Sequence, residues 1–571
     1  MVKNILIVSL TRMGDLIQTT PLISGLREKY PSARITLMVS SDFVDAVSLI
    51  PNIDDSIVFN LRQFKDSDKW EDESWVKIYR YMESELNDIR NESYDLLVNL
   101  SHSRLSALMV YYLKVKNVIG FHCNGVGDRM TGHPWMQYFG TEPFNRSFNE
   151  FNLVEMFTRS AGVDLKNREI QVSPNFVELD ANQLFDAKTQ KLEEGLVIGF
   201  QIGSSLENRR WSTKSFAELA DLLVEKLNAR ILLFGVASES KSAAEMIGLV
   251  KEKSRVIDLT GKTDIPQLTG LLNSCDYLVT NDTGTMHLAA ALNTKIIGLF
   301  FAHAHPFETA PFSSGHLIFQ ARISCAPCSY GVHCNNIVCV EKVLPAHILN
   351  FVESHLEYGR WEVPGELKNT DELNIYETVL SAQGIVGLRP ILKHALSLDD
   401  VFRLAYAVLW RETLDVEIKT DIEVIQENLQ NFSISDYDNL LGSLAVKVKL
   451  LKELEALGSE GIRLCEGLVK NASGMRALPE KLVRIGEGID RIDEQIELLG
   501  MTHPEIKPIT DMFCKRKENL IGNDISLLGV ESRKCYSLLQ KESRRMVEIL
   551  SIHEEQFNVC LNYKTHNSIS V

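Results

Sequence analysis

The stretch Cys275–Phe301, CDYLVTNDTGTMHLAAALNTKIIGLFF, admits few folds. Its apolar runs Tyr277–Thr280 and Ile296–Phe301 are β-prone and flank a segment with helical spacing, so it reads as strand, turn, helix, strand. Asn281, Asp282, Thr283 and Gly284 form the turn, and Thr285, Met286 and His287 open the helix. Asp282 or Thr283 is expected to cap it, Gly284 to let a ligand approach the backbone, and the first N–H groups to face out at the strand's carboxyl end. A diphosphate suits that geometry, and the His287 side chain reaches the same anion. An ordinary capped βαβ unit with a satisfied histidine is the competing reading.

The chain has 571 residues, too many for one core, and two or three domains are expected. Hydrophobic residues make up 45% and charged residues 24%, a globular balance. The net charge of -16 argues against nucleic acid as a partner, since no overall positive field attracts phosphates. The N-terminal apolar run is too short for a signal peptide, and no stretch approaches the roughly 18 apolar residues of a membrane span. A cytoplasmic location is therefore expected. Ten cysteines, four of them packed between 325 and 339, suggest a metal site rather than a disulfide framework.

Read in order, strands at Asn4–Leu10, Arg34–Val39, Ile57–Phe59, Tyr94–Asn99 and Asn117–Gly120 alternate with helices at Thr19–Tyr30, Phe43–Leu49, Val76–Arg90 and Leu105–Leu113. That alternation predicts an open parallel sheet covered on both faces, with the loop Thr11–Asp15 setting a carboxylate at its carboxyl end. After a helix over 149–161, a second alternation begins at the strand Leu196–Gln201 and continues through Ala229–Phe234 and Val256–Leu259 into the opening stretch. The fold class is thus α/β, two doubly wound Rossmann-like domains with a cleft between them, over 1–175 and 176–365. From 374 to 571 the pattern turns helical, with segments near 375–383, 390–413, 419–430, 436–470, 476–500, 505–520 and 524–560. An α-helical bundle of roughly 190 residues is the simplest account, serving acceptor-protein binding or oligomerisation.

Three separated motifs, RMGDLIQTTP (Arg12–Pro21), GSSLENRRWSTKSFAELADLL (Gly203–Leu223) and VIDLTGKTD (Val256–Asp264) followed by NDTGTMHLAAAL, resemble glycosyltransferase family 9, the ADP-heptose-dependent heptosyltransferases. The resemblance covers roughly residues 1 to 350, and the order of the motifs makes it specific. It implies a GT-B fold with an N-terminal acceptor domain and a C-terminal sugar-nucleotide domain. It also implies an inverting transfer, with Asp15 in the position of the family's catalytic base. A helix N-cap is the alternative role for that residue.

The departing diphosphate needs countercharge. Arg209 matches the family's phosphate-binding lysine in register, and Arg210 adds a second guanidinium, a solvated basic pair being the alternative. Gly284, Thr285 and Met286 offer backbone N–H groups and His287 a side-chain donor, with Asp282 and Thr283 completing the turn. Asp258 matches the family's acidic residue for the ribose hydroxyls, and Lys262 neutralises the nucleotide or faces water. The implied donor is an ADP-sugar, ADP-heptose, and the transfer itself needs no divalent cation.

Cys325, Cys328, Cys334 and Cys339 have the spacing of a tetrahedral thiolate site for a structural zinc or iron, with His333 as a substitute ligand. The cluster is like the cysteine finger of adhesin-modifying members of the family. Together with the helical tail, it points to a protein acceptor such as flagellin or a surface adhesin. Arg62, Lys65, Arg104, His122 and Arg129 are candidates for a basic acceptor cleft. A lipopolysaccharide-core heptosyltransferase in peripheral contact with the inner membrane is one alternative, and a non-catalytic scaffold gripping a partner through the tail is another. Homo-oligomerisation is a further expectation for the helical region.

Overall fold

The computed structural model describes residues 2–61, 72–166, 168–173, 195–367, 370–414, 432–433, 437–472 and 479–567. The chain divides into two compact units, one of Met1–Gly132 with Phe151–Leu392, the other of His133–Glu150 with Lys393–Val571.

The first unit holds both sheets. β1 (Asn4–Ser9), β2 (Arg34–Ser40), β3 (Asp55–Phe59), β4 (Leu96–Asn99), β5 (Asn117–Cys123) and β6 (Arg129–Gly132) lie in the order β3-β2-β1-β4-β5-β6. All pairings are parallel except β5 with β6. Ile5, Leu6, Ile7 and Val8 are fully or almost fully buried, as expected of a strand covered on both faces.

β7 (Val197–Gln201), β8 (Arg230–Phe234), β9 (Val256–Asp258), β10 (Tyr277–Asn281), β11 (Lys295–Phe300), β12 (Leu317–Ala321), β13 (Leu373–Leu380) and β14 (Val386–Pro390) form the second sheet, ordered β14-β13-β12-β11-β10-β7-β8-β9. Strands β7 to β12 are parallel, and β13 and β14 extend the sheet antiparallel.

Strand order reverses direction at β1/β4 in the first sheet and at β10/β7 in the second. Ligands of doubly wound sheets bind outside the carboxyl ends of the strands at these switch points. One continuous apolar core joins Ile17, Leu49 and Val154 to Met286, Ala289 and Phe300, so the layers of the two sheets pack within a single unit.

Two expectations fail here. The segment near 375–383 is largely strand β13, not helix, because Leu373–Glu377 pair antiparallel with β12 and Tyr376–Leu380 with the edge strand β14. The segment predicted as helix over 390–413 starts as the last residue of β14 and becomes helical only at Leu398–Leu414. The predicted helix over 419–430 lies outside the described residues.

The second unit is helical, with Leu398–Leu414, Tyr437–Ala472, Pro479–Thr502, Lys507–Glu518 and Ile525–Asn567. The helices of 36 and 43 residues run antiparallel, Gly461 lying against the Tyr536 ring and Gly458 against Gln540. A β-carbon at Gly461 would sit 2.3 Å from Tyr536 Cδ1, so only glycine admits that ring. The buried Arg516 guanidinium grips Glu542 through two bonds of 2.8 and 2.6 Å.

The segment His133–Glu150 belongs to this unit, against the expectation that it forms part of the N-terminal domain. Tyr138 lies 5.7 Å from the Trp410 ring, Phe148 packs on Phe402 and Tyr406, and Arg403 donates to Glu150 at 2.6 Å. Among the described residues no helix is long and apolar enough to cross a membrane.

Candidate active site

The opening turn folds as read, with one difference. The helix Gly284–Ala291 follows β10 directly, and Thr283 stands at its N-cap in extended backbone (φ -145°, ψ 167°), yet no side chain caps it. The Asp282 carboxylate instead meets Arg209, and Thr283 Oγ1 lies 3.3 Å from Thr280 Oγ1. Thr285 is buried and donates to Gln201 Oε1 at 3.2 Å. The Met286 side chain is fully buried in the core, so only its backbone can face a ligand.

Asp15 lies in the first turn of the helix Met13–Gln18, half-buried at the carboxyl end of β1. Two glycines bring that helix onto the start of Gly284–Ala291. A β-carbon at Gly14 would sit 2.9 Å from His287 Cδ2 and 3.2 Å from Gly284 Cα, and one at Gly284 would sit 3.0 Å from Gly14 N. The amino-terminal carboxylate and the carboxy-terminal helix start therefore adjoin.

His287 lies between them, 3% exposed. Burial lowers its pKa, while the negative charges of Asp282 and Asp15 act to raise it. Thr11 Oγ1 donates a short hydrogen bond to Asp15 Oδ2.

Arg209 departs from its expected place. It is 5% exposed and bonded to the Asp282 carboxylate and, at 2.9 Å, to the Asp282 carbonyl, so it braces the turn from within. The cause is desolvation: a guanidinium buried this deeply requires a carboxylate partner. Arg210 is half-buried and donates from Nε and Nη2 to Ser204 O at 3.0 and 2.7 Å. The loop between is held by Asn281, whose Oδ1 accepts from Trp211 N and whose Nδ2 donates to Ile202 O and Gly203 O.

Asp258 and Lys262 come together at the end of β9, Lys262 Nζ lying 3.1 Å from Asp258 Oδ2 and 2.8 Å from Asp258 O. Desolvation pushes the Asp258 pKa up, but bonds from Thr260 and Lys262 outweigh it and hold the pKa below the usual carboxylate range. β9 is the sheet edge, three strand spacings or about 14 Å from β10.

A carboxylate nearer the switch point escaped the motif reading. Glu239 lies so close to the backbone after β7 that a β-carbon at Gly203 would fall 1.6 Å from its Oε1. Its Oε2 accepts from Val236 N at 2.9 Å, and burial raises its pKa. Gly203 and Gly235, each ending a strand, were the available signal.

Among the described residues, Ser204 Oγ, Arg209 Nε and His287 Nδ1 are buried without a protein partner. Each such atom costs about 1–3 kcal/mol if left unsatisfied. Ser204 and Arg209 lie in the loop after β7, and His287 in the helix after β10.

On the acceptor side, the His102 imidazole is pushed below the ordinary histidine range by desolvation, opposed by Asp15 and reinforced by Arg129 and Arg12. Arg129 donates to His102 O at 3.2 Å and stacks on Phe121 at 4.1 Å, and Arg104 and Arg129 both act on Cys123. His122 Nδ1 lies 3.2 Å from Gly120 O in β5. Arg62 and Lys65 lie outside the described residues.

The four cysteines line one small pocket with Asn208 and Ala302. Cys325 is exposed, Cys339 is buried with its thiol pushed up by desolvation, and Cys334 Sγ lies 3.3 Å from Asn336 O. Among the described residues, no three such ligands stand close enough to hold a metal ion. His333 is exposed.

The two doubly wound sheets make a GT-B-like fold, and their switch points bring a carboxylate beside a glycine-opened helix start. Residues 84–336 match the model of glycosyltransferase family 9 (heptosyltransferase), and over that stretch the chain is a glycosyltransferase similar to this family.

It is similar to lipooligosaccharide heptosyltransferase 2 of Haemophilus influenzae, 24% identical over 328 residues that span 56% of this chain and 88% of that one. Lipopolysaccharide heptosyltransferase 3 of Escherichia coli is 24% identical over 298 residues, 52% of this chain and 81% of its own. Among solved structures, a family 9 glycosyltransferase of Veillonella parvula is 20% identical with a TM-score of 0.48, covering 62% of this chain and 97% of that one.

Proposed function

We propose that this chain transfers a heptosyl group, with inversion, from a nucleoside diphosphate donor such as ADP-heptose to a hydroxyl of an acidic core saccharide of the lipopolysaccharide type. The observation that carries the reading is the contact of the Gly14 and Gly284 backbones, which sets a half-buried carboxylate beside an uncapped helix start. In the reaction the acceptor oxygen attacks the anomeric carbon, the bond from that carbon to the diphosphate oxygen breaks, and the acceptor proton passes to Asp15. The diphosphate leaves with its charge facing the Gly284–Thr285–Met286 backbone, His287 and the loop of Ser204, Arg209 and Arg210. This stabilisation grows as the glycosidic bond breaks, so it lowers the barrier rather than only tightening binding. Glu239 is better placed than the edge residue Asp258 to accept from the ribose hydroxyls, since it lies beside Gly203 at the switch point.

The names of the relatives and the cluster of Arg12, Arg104 and Arg129 around His102 and Cys123 support an acidic saccharide acceptor over a flagellin or adhesin hydroxyl. Work at the cytoplasmic face of a membrane follows from that acceptor. The thiol chemistry of Cys325, Cys328, Cys334 and Cys339 suits a soft metal ion, zinc or iron, but the four would have to draw closer to hold it. Bound there, it would crosslink the segment and stabilise the fold.

The test is incubation of the purified chain with ADP-heptose and either heptose-free core lipopolysaccharide or flagellin, read by mass spectrometry. A heptose increment on the saccharide, abolished by Asp15→Ala with donor affinity kept, is expected. Transfer to flagellin alone would overturn the acceptor, and undiminished turnover by Asp15→Ala would overturn the base.

A further inference from the structure

Thr11 is absent from every role assigned so far, yet its hydroxyl donates to Asp15 Oδ2 and is the hydrogen-bond donor that the structure gives to that carboxylate. We infer that Thr11 is a positioning residue for glycosyl transfer, holding one oxygen of Asp15 so that the other faces the acceptor hydroxyl. This rests on Asp15 being the base.

The backbone that carries Thr11 is itself fixed by a buried polar network. Leu10 N donates to Ser101 Oγ at 2.8 Å, Ser101 N to Asn99 Oδ1 at 3.1 Å, Ser106 Oγ to Ser101 O at 2.8 Å, and Asn99 Nδ2 to Phe121 O at 2.7 Å. Asn99, Ser101 and Ser106 are 0–1% exposed, so these bonds form in a low-dielectric interior and tie together the carboxyl ends of β1, β4 and β5. Thr11 follows Leu10 immediately, and its β-branched side chain has few rotamers to choose from.

Asp15, by contrast, lies in the first turn of a helix without a side-chain cap and stands half-buried, and among the described residues Thr11 is the side chain hydrogen-bonded to its carboxylate. A base whose free oxygen must meet a hydroxyl within hydrogen-bond reach loses turnover when the carboxylate rotates away. The single bond from Thr11 supplies that orientation.

The experiment compares Thr11→Val, Thr11→Ser and Asp15→Ala in the full chain. Valine keeps the shape and removes the donor, whereas serine keeps the donor. Thr11→Val is expected to lower kcat about tenfold or more with ADP affinity and Tm unchanged, and Thr11→Ser to restore most of the rate. Wild-type kcat in Thr11→Val while Asp15→Ala is inactive would overturn the role of Thr11 and leave the base standing. Equal loss in the valine and serine variants would show a packing role and also overturn it. Full turnover by Asp15→Ala would remove the base, and with it this inference.

Discussion

Arg209 shows how far a residue's chemistry can be read before its neighbours are known. Its register beside a phosphate-binding position was visible in GSSLENRRW, but its partner Asp282 lies 73 residues away and no local pattern announces the pair. With 5% and 10% side-chain exposure, the two charges are dry enough that removing one strands the other. Arg209→Ala should therefore destabilise the fold by about 3–5 kcal/mol, in addition to weakening ADP binding. Arg210→Ala, which removes donors to the Ser204 carbonyl and a charge acting on Glu239 but no direct carboxylate pair, should weaken ADP binding with a smaller change in stability. Urea unfolding of both variants beside ADP titration separates the two effects. Equal stability of Arg209→Ala and wild type would mean that the pair forms no internal brace. The places of Asp15 and Gly284 in the fold were legible because each follows the end of a strand, which hydrophobic runs mark directly. Glu239 and Thr11 were not, because the contacts each makes with Gly203 and Asp15 exist only in the folded chain.

At the level of elements, the parallel strands β1–β5 and β7–β11 were read to within about three residues, since fully buried runs such as LVIGFQ and RILLF leave little ambiguity, whereas the parallel strand β12 was not read. β13 was misread because NIYETVL mixes apolar and polar residues at spacings that suit either period, and its pairing with β12 decided the matter. The cysteine segment is the other element whose final form depends on something outside local sequence. Its four thiols share a pocket wall with Asn208, one residue before Arg209 in the loop that carries Ser204. Cys339 is buried and its thiol is held protonated by desolvation, so four thiolates converge only if a cation compensates their charge. Reconstitution with zinc or iron(II) should bind one metal per chain, protect these thiols from alkylation and raise Tm by several degrees. Cys328→Ser should lose all three responses. A chain that binds no metal after reduction, with all four thiols reactive, would reduce the cluster to ordinary cysteines.

For the whole molecule, the helical region beyond Lys393 is not an appendage added to a finished transferase. The segment His133–Glu150, which the sequence places in the first α/β half, has its packing partners in that region. Trp135 is fully buried, Tyr138 meets Trp410, Phe148 meets Phe402 and Tyr406, and Glu150 pairs with Arg403. Such rings each bury roughly 200 Å². Exposing even half of that area for Trp135, Tyr138 and Phe148 costs about 7 kcal/mol at ~25 cal/mol per Å², comparable with the total stability of a domain, about 5–15 kcal/mol. No periodicity in 133–150 could reveal this, because its apolar residues look the same whichever core receives them. A chain cut after Leu392 is therefore expected to be insoluble or to bind a hydrophobic dye strongly, even though both sheets and every proposed site residue remain. Replacing Trp135, Tyr138 and Phe148 by polar residues in the cut chain should recover solubility, since what fails is the uncovered surface and not the α/β unit. A cut chain that is monomeric, unfolds cooperatively and matches the full chain in ADP affinity would show that the helical region is dispensable for folding, leaving its packing on 133–150 as a contact without energetic consequence.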